Sequence, residues 1–92
     1  MTTHDEIARI RENDETTHEI MVEAASRMRF YDQEARALER DLASMADNDP
    51  KREAKLFLLH HARIGSKDER SLVEAGRDLL ATTPVLVAAL EE

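Results

Sequence analysis

Apolar side chains recur every seven residues through the first half of this chain. Counting from Ile7 gives Ile7, Asp14, Met21, Met28, Ala35 and Leu42; counting from Ile10 gives Ile10, Thr17, Ala24, Tyr31, Leu38 and Met45. Steps alternating between three and four residues keep these groups on one side of an α-helix, with Asp14 and Thr17 as its polar interruptions. No glycine or proline precedes Pro50, so the spacing predicts one helix over residues 3–46. A helix of about 40 residues reaches roughly 60 Å, more than a short chain folds around compactly. Thr3 and Glu6 stand at capping-box spacing for its start.

Asp47-Asn48-Asp49-Pro50 ends that pattern. Asp49 suits an N-cap and Pro50 the first helical position, where a missing N–H costs nothing. So short a connection returns the next helix antiparallel to the first, as a hairpin. The second half then predicts three pieces. A helix over 50–64 carries Ala54, Phe57, Leu58, His61 and Ile64 as its inward stripe, widened by Leu56 and Leu59. Gly65-Ser66, with Glu69 completing a second capping box, starts another helix over 67–81 with Leu72, Val73, Ala75, Gly76, Leu79 and Leu80 inward. The alternative is that these two segments form one helix with a kink at Gly65-Ser66. Thr82-Thr83-Pro84 repeats the cap-then-proline signal before a short apolar helix over 84–90.

Charges flanking the first helix bear on its mate. With Ile7 and Ile10 as heptad positions a and d, position e is Arg11, His18, Ala25, Asp32 and Glu39, and position g is Asn13, Ile20, Arg27, Glu34 and Asp41. Two copies laid antiparallel bring Arg11 to Glu39 and His18 to Asp32, which points to self-association through Ile10, Met21, Ala24, Met28 and Tyr31. Paired across such an interface, His18 would hold its proton more tightly, making association pH-dependent.

Composition narrows the chemistry. There is no cysteine, which removes disulfides, thiolate metal sites and cysteine catalysis. A net charge of −7 opposes binding to duplex DNA or anionic lipid, and the few aromatic residues, Phe30, Tyr31 and Phe57, offer little for base stacking. Nucleic acid and membrane are thus not expected partners. The polar N-terminus lacks the apolar run of an export signal, and the apolar runs 56–59 and 85–90 are too short for a bilayer, so a cytoplasmic protein is expected. No nucleophile stands beside a base, and no glycine-rich phosphate loop is present.

Two motifs remain. Glu15-Thr16-Thr17-His18 has the spacing that puts a carboxylate and an imidazole on one helix face, as in helical carboxylate metal sites. Phe30-Tyr31-Asp32-Gln33 with Asp49-Pro50 loosely resembles the helical hairpin of encapsulated ferritins, but Gly65-Ser66-Lys67-Asp68-Glu69 stands where those proteins carry a second Glu-x-x-His. Glu15 and His18 alone make a weak metal pair, and no cofactor is expected. His61-Ala62-Arg63-Ile64-Gly65-Ser66 resembles a histidine phosphotransfer motif, with Ile64 in place of its phosphate-neutralising lysine.

The expectation is an all-α chain: a long antiparallel helical hairpin with one or two short C-terminal helices, completed as a bundle by homodimerisation. Its expected role is a non-enzymatic protein–protein interaction module. The candidate surface for a second, different protein is Leu56, Leu59, Val85, Leu86 and Leu90. The layout resembles the small helical-hairpin chaperones of secretion systems in architecture.

Overall fold

A computed structural model describes residues 3–91 and shows two long helices, α1 over Thr3–Ala43 and α2 over Arg52–Glu91, packed antiparallel as an extended hairpin measuring 68 × 15 × 15 Å. The fold is all-α, and among the described residues there is no strand. The heptad stripe of α1 is the surface that meets α2. From Ile7 and Ile10 to Leu42, every position of that stripe is buried or half-buried. The facing stripe of α2 is Arg52, Lys55, Leu59, Ala62, Ser66, Glu69, Val73, Gly76, Leu80, Thr83, Val87 and Leu90, at the same alternating spacing.

The turn is built from the residues that the sequence marks for it. Asp49 Oδ1 accepts a 2.8 Å hydrogen bond from the Lys51 N–H, and the Arg52 guanidinium donates to the Leu42 carbonyl, covering an end of α1 that would otherwise face only water. Lys55 also closes this end by pairing with Asp41 at 2.8 Å; the ammonium holds the Asp41 carboxyl below its ordinary pKa.

Two expectations for the second half require correction. From Arg52 onward the segments expected over 50–64, 67–81 and 84–90 are one unbroken helix, with Pro50 and Lys51 in the turn before it. Gly65 does not end a helix, because it is where the Tyr31 ring crosses: a Cβ there would lie 2.8 Å from Tyr31 Cζ. The Ser66 hydroxyl donates 2.5 Å to Asp32 Oδ1 across the hairpin instead of capping a new helix. Pro84 lies inside α2 although it lacks the N–H that would bond to the Leu80 carbonyl. There the Thr83 hydroxyl ties the helix to Asp14 Oδ1 at 2.7 Å, and the Thr82 hydroxyl bonds back to the Leu79 carbonyl.

The inward stripe of α2 also differs from the expected one. Leu56, Phe57, Leu58 and Ile64 are exposed, as are Leu72 and Leu79, while Leu59, Ala62 and Ser66 are buried. The reason is size matching. Because α1 contributes Met21, Met28 and Tyr31, α2 answers with glycine, alanine and serine. A Cβ on Gly76 would meet Met21 Cγ at 2.5 Å, the same close approach as Tyr31 over Gly65.

Polar pairs punctuate this thin seam. Asp14–Thr83 and Asp32–Ser66 sit part-buried, and Glu69, with an 18% exposed side chain, accepts 2.9 Å from Arg27 through Oε1. Its other oxygen, Oε2, is buried without a hydrogen-bond partner among the described residues. Such pairs cost little when made and more when halved, so they specify which residue faces which. A double-mutant cycle over Asp14→Ala and Thr83→Val should return a coupling of about 1 kcal/mol in chemical denaturation; additive effects would show that the bond sets no register.

Candidate interaction groove

With the seam of α2 lettered so that Leu59 is a and Ala62 is d, the neighbouring g positions are Leu58, Gly65, Leu72, Leu79 and Leu86. Beyond them lie the c positions His61, Asp68, Ala75, Thr82 and Ala89. Together they repeat the three-and-four spacing of the intramolecular seam, about 100° further around the helix. The four leucines are 53, 41, 56 and 50% exposed. α2 thus carries two adjacent seams, one covered by α1 and one uncovered. This is the pattern of a helix with two helical neighbours.

The uncovered seam forms one wall of a shallow groove along the hairpin. Near the turn it opens into a 460 Å³ depression bounded by Tyr31, Leu38, Leu58 and His61. At mid-length Ile20, Leu72, Ala75 and Leu79 line a nearly all-apolar stretch of 210 Å³. Towards the chain ends Ile10, Asn13, Leu79 and Leu86 line a further 330 Å³. On the α1 wall the c and g positions mix apolar and charged groups: Ile20 and Phe30, both exposed, beside Glu23, Arg27 and Glu34. The opposite flank of α2 is polar, with Arg63, Arg70 and Arg77 at successive e positions and Arg63 paired to Glu39 at 2.9 Å.

The residues expected at interfaces divide between these surfaces. Ile10, Met21, Ala24, Met28 and Tyr31, expected to meet a second copy, face α2 of the same chain; Ala24 is 0% exposed. Leu59, expected on a partner surface, is 6% exposed and belongs to the intramolecular core, and Leu90 is half-buried in the same seam. Leu56, Val85 and Leu86 are exposed as expected, but on different sides: Leu86 faces the groove, Leu56 the arginine flank, and Val85 the back of α2. Leu72 and Leu79, expected in the intramolecular core, join this surface, and their seven-residue spacing with Leu58 and Leu86 is present in the sequence.

The chemical candidates take their places on the same hairpin. Glu15 and His18 line a shallow depression with Asp14 and Leu80 on the flank away from the groove. Among the described residues no three histidine, aspartate or glutamate side chains gather where they could hold a metal ion. His61 is exposed at the rim of the groove, its ring centred 4.3 Å from that of Phe57, with Ile64 a turn below it on an uninterrupted helix. Arg27 and Asp41 each titrate away from their ordinary values, Arg27 upward through its bond to Glu69 and Asp41 downward through its bond to Lys55. Both shifts belong to pairs that tie the hairpin together. No helix of the described residues is long and apolar enough to cross a membrane. No protein-family model matches the chain, and comparison with curated proteins and with solved structures gives no match.

Proposed function

We propose that this chain is a non-enzymatic helical interaction module whose working form is a self-associated bundle, with exposed apolar surface remaining to receive another protein. The observation that carries the reading is the second, uncovered heptad seam of α2. Area supports it. A compact chain of 10.5 kDa exposes about 5,400 Å², whereas this hairpin exposes 7050 Å². Its radius of gyration is 20.6 Å, against about 12 Å for a compact domain of this length. The buried apolar residues are Ala24, Leu59 and Ala62, a core that small helical chains commonly supplement by oligomerisation.

Sedimentation equilibrium of the full chain at tens of micromolar tests the reading: a mass above that of one chain is expected, and a monomer throughout the range overturns it. Leu86→Ser and Leu90→Ser should separate the two seams. Leu86→Ser should lower the associated fraction with helicity near wild type, because half of that side chain faces solvent in the hairpin. Leu90→Ser should instead fray the helix ends, read as lost ellipticity at 222 nm. The reverse pattern would mean that the seams have been assigned the wrong way round.

A further inference from the structure

From the self-association reading, on which this rests, we infer that a second copy of the chain occupies the groove with α2 against the partner's α2 and α1 against the partner's α1, all antiparallel, about a two-fold axis crossing α2 between Leu72 and Ala75. Two hairpins facing each other have two closed ways to stack. In one, each α2 lies on the partner's α1, which sets the leucine row of α2 against the charged c and g positions of α1, Glu23, Arg27 and Glu34. In the other, like helices meet, and the leucine row of α2 lies on the same row of the partner.

On α2 three of the four leucines find a match. An axis between Leu72 and Ala75 brings Leu72 opposite the partner's Ala75, Leu58 opposite the partner's Ala89, and Leu86 opposite the partner's His61, large groups over smaller or flat ones, while Leu79 meets the stem of the partner's Asp68. Within one hairpin Met21 lies over Gly76 and Tyr31 over Gly65, so the axis crosses α1 close to Glu23. Ile20 and Phe30 are exposed apolar groups of α1. In this arrangement the second copy lies over the length of α1 that carries both.

The area is of the right order. Hiding about 1,600 Å² on each chain would return each to the surface of a compact protein. The total of about 3,200 Å² lies within the range of obligate homodimers. The product is an antiparallel four-helix bundle, in which α2 contributes both of its seams to the core.

The chain has no cysteine, so single thiols can report the geometry. Leu72→Cys should link into covalent dimers with a short bis-maleimide, while Arg70→Cys, on the polar flank of the same helix, should not. Leu58→Cys mixed with Ala89→Cys should yield a cross-linked heterodimer. The double variant Leu72→Glu/Leu79→Glu should weaken association by roughly a hundredfold or more, with helicity retained. If the wild-type chain sediments as a monomer, the self-association reading itself falls. If it is a dimer in which Arg70→Cys links and Leu72→Cys does not, or in which the double variant still associates as wild type, self-association stands and this groove geometry is overturned. Should the double variant unfold, the cross-linking pattern of the single cysteines decides alone.

Discussion

Truncating Leu59 to alanine lowers the unfolding free energy by about 3 kcal/mol, whereas the same change at its neighbour Leu58 costs less than about 1 kcal/mol in the isolated hairpin. Leu59 is the largest of the buried residues, 6% exposed, in a core otherwise made of Ala24, Ala62 and Ser66. Its removal leaves a cavity between helices that have few other large groups to close over it. Leu58 is 53% exposed and loses mainly the contacts of its inner half. Small chains have only a few kcal/mol of stability to lose, so Leu59→Ala should be largely unfolded at a temperature where wild type is helical. Urea titration followed at 222 nm measures both, at one fixed chain concentration because association adds to apparent stability. Equal losses at the two positions would mean that the core is not where the hairpin places it. If Leu58→Ala proves the more costly in concentrated samples and not in dilute ones, its contribution comes from the second copy.

The first half of the fold was legible in the sequence because one stripe of α1 serves one neighbour, and nothing before Pro50 contradicts the helix. The turn was legible for a local reason, since Asp49 and Pro50 act within a few residues of themselves. α2 was harder on two counts. Gly65-Ser66 and Thr82-Thr83-Pro84 carry local stop and start signals, but the packing of Tyr31, Asp32 and Asp14 uses those same residues for close approach and cross-helix bonds. Tertiary contact decides such cases over propensity. The second difficulty was hydrophobicity itself. Reading the largest apolar groups as inward selects Phe57, Leu58 and Ile64, and misses that a seam facing Tyr31 and Met21 needs small residues. The groove is hidden for the same reason, because apolar size alone places Leu58, Leu72 and Leu79 in the intramolecular core.

Gly65→Ala should destabilise the hairpin by about 1 to 2 kcal/mol, although alanine is the better helix former by about 1 kcal/mol. The new methyl would lie 2.8 to 2.9 Å from three ring atoms of Tyr31. A rigid ring cannot yield as a flexible chain does, so the helices must part or the ring must leave its rotamer. The sign should reverse once the ring is gone. Tyr31→Ala is itself costly, but in that background Gly65→Ala should raise stability by about 1 kcal/mol, the unopposed gain in helix propensity. The resulting coupling of about 2 to 3 kcal/mol is at the upper end of the range for residues in direct contact. Gly76→Ala offers the contrast, because the group above it is the thioether chain of Met21, with several torsions through which to move aside. Its net effect should fall within about 0.5 kcal/mol of zero as the two contributions offset. Additivity between Tyr31 and Gly65 would refute the close crossing, and with it the account of why α2 runs unbroken through a glycine and a serine.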